Sequence, residues 1–585
     1  MARTSKKVQE IQGILESDSL AGFVANKYTA WRGARQGWER DMKELRNYIF
    51  QTSTSQTSNA TLPWKNKTSI PKICQIRDNL HANYMAALFP HDNWFRWEAS
   101  DNEGTTRETA RRIEAYMKQK IRESNFKRVI SEALYDYIDY GNAFAEVSYS
   151  NDIHRGAEQT VAYVGPMVYR ISPYDIYFDI TASAFKDAAK ITRSIVSLGS
   201  LKLASEQDPA FAWAAAAVED RQRIAAALNG YGDSDIDKSE GTSIDGFSSL
   251  SNYYSSGMIE LLEFEGDTYD ANTGEVQTNR KVIVMDRRKV VYDEPSESWL
   301  GRSSKEHVGW RYRPDNLMAM GPLDNLVGMQ YRIDHLENLK ADVFDQIAHP
   351  ITFQRGNIEE WAWGPGERIF GDEDSDLMVL RPDATALNAE FQIESLMEKM
   401  EEMAGAPRQA MGIRTPGEKT AFEVQTLENA AGRIFQQKIL NFEERFVEPL
   451  LNQMLEQARR NMGATESVKV LGEDFAVMEF QKITKEDLNK RGKLFPIGAR
   501  HFAKQAQIVQ NLNGFVASAA YADEDVRVNI SALRVAQLFE EALGLDRFEL
   551  VEEGIRIAER QNTQSVATQA QQEVAEEILD RGERV

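Results

Sequence analysis

The chain has 585 residues with 69 basic and 90 acidic side chains, a formal net charge of −21. That length allows roughly two to four domains, and the acidic balance excludes a protein that grips nucleic acid along its whole surface. The single cysteine, Cys74, excludes a disulfide framework and cysteine-based metal sites and fits a reducing cytoplasm. No apolar run approaches the length of about 18 residues that a transmembrane helix needs, and the N-terminus lacks the apolar core of a secretion signal.

Helical spacing of apolar residues predicts the first helices, at 1–50, 70–90, 104–124 and 126–141. Asp18 is a candidate N-cap in the first helix, and Gly141 is a candidate C-cap of the last. The Ser/Thr-rich stretch between the first two helices predicts a loop, and the aromatic run "HDNWFRWEAS" predicts an extended segment.

Strands and a meander come next. "NAFAEVSYS" and residues 167–180 alternate and are rich in β-branched and aromatic side chains, which predicts strands. Residues 184–232 are Ala-rich and predict helix, whereas the Gly/Ser-rich 230–257 predicts a mobile loop. Residues 258–294 predict a β-meander with turns at Asn272-Thr-Gly and near Asp286.

The second half predicts longer helices around a small β insert. A helix is expected from about 317 to Pro350, then short strands and turns to 388, then a helix at 391–404. Lys419 to Asn461 is the longest helical signal, 43 residues or about 64 Å, and Pro449 should kink it. "ESVKVLGEDFAVMEF" predicts β structure, and 482–580 predicts helix. The fold class is therefore α+β, mainly helical.

The stretch "GIRTPGEKT" at 412–420 resembles a phosphate-binding loop but departs from it. Glu418 stands where that loop needs lysine directly after the second glycine, and a helix end, rather than a hydrophobic strand, precedes the stretch. A helix–loop–helix junction is the favoured interpretation.

Other catalytic and metal signals are also weak. Asp372-Glu-Asp-Ser-Asp376 lacks the glycine and glutamate of a calcium loop, so a solvated turn is favoured. The seven histidines show no metal-ligand spacing, and no nucleophile motif occurs. The tryptophans of "NWFRW" and "WAWGPG" would serve either as base-stacking platforms or, more often, as packing and protein contacts. We therefore predict no catalytic residue, no metal and no cofactor.

The order of elements resembles the portal protein (head–tail connector) of tailed bacteriophages, most closely that of short-tailed phages. The resemblance spans about 80–460 and is carried by phrases rather than by a catalytic signature. These phrases are "HANYMAALFPHDNWFRWEAS", "ALYDYIDYGNAFAEVSY", "VYRISPYDIYFDITA", "GMQYRIDHLENLKADVFDQIAHP" and "GIRTPGEKTAFEVQTLENAAGRIFQQKILNFEERFVEPLLNQML".

The resemblance implies a wing, stem, clip and crown architecture in a ring oligomer. Its implied parts are the wing at 1–316 with the mobile loop at 230–257, stem helices at 317–349 and 391–404, the clip at 350–390, the tunnel loop at 405–419, the long kinked wing helix with its following strand at 420–481, the crown at 482–560, and a tail at 561–585 that is a candidate helical barrel.

The implied role is structural and not enzymatic. Twelve subunits would form a ring at one capsid vertex, through which double-stranded DNA is packaged and ejected without regard to sequence. Implied partners are the terminase large subunit, the tail adaptor, and the major capsid and scaffolding proteins, with no membrane. The ring would be assembled in the host cytoplasm and located in the virion. The alternatives are a nucleotide-dependent DNA translocase or another virion protein such as a tail adaptor.

The resemblance also selects candidate site residues. Arg408, Arg414 and Lys419 in the tunnel loop would form a ring of cations that contacts DNA phosphates, with a salt bridge to a neighbouring carboxylate as the equal alternative. Trp361 and Trp363 in the clip would contact partners or subunits. Arg332 and Lys340 are further cations whose direction the sequence leaves open.

Overall fold

The computed structural model divides the chain into two compact units, Met1–Lys469 with Phe480–Pro496 and Val470–Glu479 with Ile497–Val585. Nearly all described residues belong to the first unit. The structure describes residues 18–50, 57–62, 65–90, 94–100, 107–155, 159–207, 211–228, 257–269, 274–296, 303–360, 368–380, 388–404, 435–463, 465–471, 478–498 and 535–536.

Four helices open the described chain and confirm the predicted ones: α1 Ser19–Phe50, α2 Lys72–Leu88, α3 Arg107–Glu123 and α4 Phe126–Asp139. The Asp18 carboxylate, a predicted cap, accepts a hydrogen bond from the Val290 backbone at 3.0 Å. Gly141 ends the last helix with φ +70°, and a Cβ there would lie 2.3 Å from the backbone nitrogen of Gly321. Only glycine fits this close approach of two chain segments.

Two antiparallel sheets follow. The first has the order β3-β2-β9, and the second has the order β4-β5-β6-β7-β8. The strands are β1 Phe95–Ala99, β2 Asn142–Arg155, β3 Gln159–Ile171, β4 Ile176–Phe178, β5 Lys190–Ser197, β6 Met258–Tyr269, β7 Val276–Met285, β8 Lys289–Pro295 and β9 Lys305–Gly309.

Strand β5 corrects the sequence prediction, which placed these residues in a helical stretch. "KITRSIVS" is rich in β-branched residues, and it pairs along its whole length with Met258 to Glu265 of β6. Helices α5 Leu198–Gln207 and α6 Trp213–Leu228 then follow as expected. The predicted turn between β7 and β8 is confirmed, since Asp286 and Arg287 adopt φ values of +49° and +60°.

A charged cluster joins the two sheets. Lys305 of β9 lies among carboxylates, with its Nζ 2.5 Å from Glu263 and 2.9 Å from Glu265 of β6. Glu146 of β2 completes the group, and Lys281 lies 3.3 Å from Glu263. Burial alone would lower the pKa of Lys305, but the surrounding carboxylates raise it well above its usual value. The ammonium group therefore stays charged and holds the sheets together.

The start of the next long helix is also corrected. Residues 317–320, predicted as helix, belong to β11 Asn316–Met320, which pairs with β10 Arg311–Arg313. After a 3-10 turn at Asp324–Leu326, helix α7 spans Val327–Ala348 and ends before Pro350 as predicted. Gly321 and Pro322 separate strand from helix, which the apolar spacing of "LMAM" alone could not reveal.

A hairpin and a second helix follow α7. Strands β12 Ile351–Arg355 and β13 Asp376–Leu380 pair antiparallel, and helix α8 spans Ala389–Met403. These confirm the predicted strands within 351–388 and the predicted helix at 391–404.

The long C-terminal helix is described from residue 435 onward, and its first part, 419–434, lies outside the described residues. A π-helical turn at Glu443–Val447 directly precedes α9 Glu448–Asn461. This π-helical turn lies just before Pro449, which has no backbone N–H to donate. The kink itself stays a prediction. Phe442 packs on Tyr137 at 4.9 Å between ring centroids, which fixes this helix to α4.

The end of the described chain corrects the first part, 482–496, of the helical prediction for 482–580. The strands β14 Thr465–Leu471 and β15 Met478–Thr484 are followed by a short helix α10 Lys485–Leu488 and by β16 Gly492–Pro496. Strand β16 pairs with β1, far away in sequence. Trp97 of β1 would contact a Cβ at Gly492 at 2.2 Å, so glycine is required there. Residues 499–534 and 537–585 lie outside the described residues.

We predict that Lys305→Met destabilises the fold by about 3–5 kcal/mol at neutral pH, because three neighbouring carboxylates lose a buried counter-ion. Without the ammonium the carboxyl pKa values rise above their unfolded values. The folded variant then binds extra protons, so its deficit should shrink as the pH falls from about 8 to about 5.

Chemical denaturation of both proteins across that pH range measures the deficit. The matched control is Lys202→Met, an exposed lysine of α5, which should change stability by less than about 0.5 kcal/mol. A deficit that is independent of pH, or no larger than that of the control, would contradict the role assigned to Lys305.

Candidate assembly surface

Residues 327–404, which we call the arm, form two helices joined through a β-hairpin. Helices α7 and α8 pack against each other. The Nζ of Lys340 on α7 lies 2.5 Å from Glu390 on α8 and 3.1 Å from Glu337. Lys340 is therefore engaged within its own chain, while Arg332 is exposed.

The outer part of the arm has secondary structure but no core. No described residue between 339 and 392 is buried. Of the 18 large hydrophobic side chains that are exposed in the described chain, ten lie on the arm. They are Leu339, Phe344, Ile351, Phe353, Ile369, Phe370, Met378, Leu380, Phe391 and Met403. Such a concentration of uncovered apolar surface marks a protein-interaction site.

The hairpin concentrates this surface on one face. Ile351 pairs with Leu380 and Phe353 pairs with Met378, and residues directly opposite in an antiparallel pair share a face. Their exposed fractions are 65, 50, 57 and 54%, respectively. An isolated two-stranded hairpin is marginally stable in water. We call these four residues the apolar face of the hairpin.

The arm also carries a large share of the negative charge. Residues 327–404 contain 6 basic and 17 acidic residues, a net charge of −11 out of −21 for the whole chain. About half of the excess negative charge therefore lies in 78 of 585 residues.

Asp372–Asp376, the candidate calcium loop, forms an exposed turn in which Ser375 N donates to Asp372 O at 2.9 Å. This agrees with the favoured solvated turn.

A row of polar side chains anchors the base of the arm. Residues 65–70, which we call the strap, run along α7. Their backbone and polar side-chain groups form hydrogen bonds with this helix. Asn338 accepts from Thr68 N and donates to Thr68 O, both at 2.8 Å. Asp342 accepts from the backbone nitrogens of Lys65 and Asn66 at 3.1 and 3.0 Å. These hydrogen bonds satisfy backbone groups of the strap, which belongs to none of the described helices and strands.

Asp334 is the most buried carboxylate of this row. Its Oδ1 accepts from Gln330 Nε2 at 2.9 Å and from Ile70 N at 3.2 Å, and Ser69 Oγ donates to both of its oxygens at 3.2 Å. Burial raises the pKa of the Asp334 carboxyl to about 6, although these hydrogen bonds work in the opposite direction.

A buried ion pair adds a second attachment. Lys72, at the start of α2, bonds to Glu401 near the end of α8, and both side chains are buried. Both ends of the arm are thus fixed to the N-terminal helices, α7 through the strap and α8 through this pair. Its outer half has no comparable cover within the described chain.

The predicted site residues are only partly described. Arg408, Arg414 and Lys419 lie outside the described residues, as do Trp361 and Trp363. The stretch 412–420 lies outside them too. Trp94 and Trp97 of "NWFRW" are buried, and Trp94 stacks on Phe126 at 5.8 Å, so packing is the correct interpretation for this pair.

Glu146, Glu263 and Glu265 bring three carboxylate oxygens within 4.8 Å of one another, which is the separation expected of metal ligands. Lys305 occupies that place, however, with bonds to two of the three. Burial alone would raise the pKa of Glu263, but Lys305 and Lys281 outweigh it and lower that pKa. Lysine side chains therefore supply the positive charge that a metal ion would otherwise provide to these carboxylates.

The sequence of α7 contains a polar stripe in addition to its apolar stripe, and this polar stripe is the signal for the anchoring row. Gln330, Asp334, Asn338 and Asp342 recur every four residues and so share one face of α7. When a helix has a polar stripe as well as an apolar one, the polar side chains indicate contact with a second segment of the protein. The strap, more than 250 residues away, cannot be inferred from that spacing.

Comparison with known proteins agrees with the resemblance. Residues 22–164 match the family model described as bacteriophage head to tail connecting protein. A search of curated proteins found no match. The match over residues 22–164 supports the recognition of a portal or connector protein, while the short-tailed subtype remains a prediction. None of the helices in the described ranges is long and apolar enough to cross a membrane.

We predict that Asp334→Asn stabilises the protein at pH 7.5 by about 1–3 kcal/mol, because it keeps the acceptor for Ile70 and removes a buried charge. The pKa of Asp334 is raised from 3.8 to about 6 on folding. The folded state therefore binds the extra proton, and its contribution to stability falls as pH rises through that window. The advantage of the variant should vanish near pH 4.

Denaturant unfolding at several pH values measures this difference. Asp334→Ala is the matched variant, and it should be less stable than the original at every pH since three donors lose their acceptor. An Asn variant that is less stable than the original at pH 7.5 would show that the charge itself holds the strap.

Proposed function

We propose, starting from the match of residues 22–164 to the head to tail connecting family, that this chain assembles into the portal ring of a tailed phage. The family supports a structural role in the virion, with capsid and tail partners and with oligomerisation. A dodecamer with a DNA channel, terminase docking and adaptor docking are the finer parts of the proposal. The short-tailed type belongs to it as well.

The single observation that supports a ring is the apolar surface of the arm, which the described part of the chain leaves exposed. Ten exposed large hydrophobic side chains on one acidic projection are unfavourable in a lone subunit. Neighbouring copies related by rotation would cover the same surface on every arm, and a rotation that closes produces a ring. The strap and the Lys72–Glu401 pair would hold each arm at a fixed position for this contact.

The charge of the arm supports its place around a channel. Twelve copies of the chain would carry a formal charge of about −250, and the arms hold about half of it. An acidic wall repels phosphate, so DNA would slide without binding tightly. Arg408, Arg414 and Lys419 would supply one level of sequence-blind phosphate contacts within that wall.

The remaining parts follow the family arrangement. In this proposal α7 and α8 are the stem, and the hairpin with Trp361 and Trp363 is the clip that meets the terminase and then the adaptor. The sheets and long helix belong to the wing, and 482–560 is assigned to the crown. Because β16 pairs with β1, this proposal assigns the first part of that segment, up to Pro496, to the wing and lets the crown begin after it.

The first test removes the apolar face of the hairpin. We predict that Phe353→Ser with Met378→Ser shifts the protein from ring to monomer, because each half-exposed side chain contributes about 1 kcal/mol when a neighbour covers it. The loss of about 2 kcal/mol per contact corresponds to roughly a 30-fold weaker interface. Native mass spectrometry and negative-stain images measure assembly.

The matched control is Tyr269→Ser with Val276→Ser. Those residues also form a cross-strand pair, and their exposed fractions are 56 and 61%. The control should assemble like the original chain. Equal assembly by all three proteins would contradict the assignment of the hairpin face to subunit contact, and a protein that never forms rings would contradict the proposed function.

The second test concerns the tunnel loop. We predict that Arg414→Ala with Lys419→Ala leaves ring formation intact and reduces packaging or retention of DNA, since the cations act on phosphates and not on neighbouring subunits. Images of the purified variant and the DNA content of particles measure the two properties. Loss of the ring would instead place these side chains in a subunit interface.

A further inference from the structure

A basic surface stands apart in this acidic protein. Residues 107–128 and 480–496 together contain 13 basic and 5 acidic residues, a net charge of +8 in a chain of −21. The two segments are neighbours in the fold because β16 pairs with β1, and α3 packs against both β1 and α10. Arg112 of α3 lies 3.9 Å from Asp487 of α10.

The exposed cations of α3 form a straight row. Arg111, Lys118 and Arg122 are exposed, and their spacing of seven and four residues places them on one side of the helix. Their backbones are separated by about 10.5 and about 6 Å along the axis. We call these three residues the basic face. Exposed cations continue it at Lys127, Arg128, Arg491 and Lys493.

Several acidic residues of these segments serve local structure. Asp487 accepts from Thr484 N at 3.1 Å and caps α10. Glu114 accepts from the backbone nitrogen of Trp97 at 2.7 Å. Lys120, by contrast, is buried and donates to Val164 O at 2.7 Å, so it does not belong to the face. Glu123, an exposed acid, accepts from Gln119 at 2.8 Å. Basic residues of the two segments nevertheless outnumber acidic ones by eight.

The absence of apolar surface identifies the class of ligand. None of the exposed large hydrophobic side chains in the described chain lies within 94–128 or 480–496. Protein-binding sites normally have an apolar or aromatic centre, as the arm does. A face of cations alone suits phosphate groups, which are bound by Arg and Lys without base recognition.

We propose that the basic face binds the phosphate backbone of double-stranded DNA, as a site separate from the tunnel-loop cations Arg408, Arg414 and Lys419. The contact is sequence-blind and dependent on salt, and the overall charge of −21 keeps it weak. The inference does not depend on ring closure.

The test uses the full chain and a labelled, covalently closed duplex minicircle, which cannot thread a closed ring. Arg111→Gln, Lys118→Gln and Arg122→Gln are combined in one variant. Binding is followed by fluorescence anisotropy from about 50 to about 200 mM salt. We expect the variant to bind at least about tenfold more weakly at low salt, with a salt slope shallower by about 2 to 3, near 0.9 for each lost phosphate contact.

The matched control combines Arg40→Gln, Lys43→Gln and Arg223→Gln, which removes two arginines and one lysine from exposed sites elsewhere. It should bind as the original does, and thermal unfolding should be unchanged in both variants. Equal loss in the two variants would show an effect of bulk charge and overturn the proposal. So would an original protein that does not bind the circle.

A third outcome separates DNA from an acidic protein ligand. If the basic-face variant still binds the circle but no longer assembles, the face contacts the acidic surface of a second copy, and the proposal is overturned. Ring formation is scored independently by imaging. Failure of the DNA site therefore cannot be mistaken for failure of the portal assignment.

Discussion

The arm exposes more apolar surface than the described part of its own chain covers. The rest of the structure depends on this constraint. Between 339 and 392 the described backbone forms helix and hairpin without one buried residue. A monomeric protein would lose stability and solubility with such a surface. Assembly of identical copies removes the problem for all arms at once, and acidic charges beside the apolar residues disfavour disordered association.

The body of the protein is built to hold that arm. The strap binds one helix through backbone hydrogen bonds to Asn338 and Asp342, and the Lys72–Glu401 pair holds the other helix. Deeper in the body of the protein, Lys305 joins the two sheets through Glu263 and Glu265. These buried polar contacts are directional, so they define positions more sharply than apolar packing alone. Charge is also divided by region, with the arm strongly acidic and the basic face of α3 positive.

Local patterns predicted most helices because apolar spacing and breakers act within one segment. α2 and α4 lie close to where apolar spacing and Gly141 placed them, and α7 ends just before Pro350 as predicted. Two of the errors fall on strands whose partners are distant, whereas the third, β11, pairs with the neighbouring β10. β5 and β16 depend on pairing with β6 and β1, and local sequence cannot reveal those partners. Part of the candidate site was predictable, since the insert and helices of the arm were expected. Its apolar face required the register of β12 with β13.

The most direct test of the central claim is hydroxyl-radical footprinting of the purified full-length protein, comparing its assembled and dissociated forms. We expect Phe353 and Met378 to be modified quickly in the dissociated chain and to be strongly protected in the assembly. Tyr269 and Val276 should react at equal rates in both forms. Rapid modification of Phe353 and Met378 in an assembled ring would contradict the claim that neighbouring copies cover the arm.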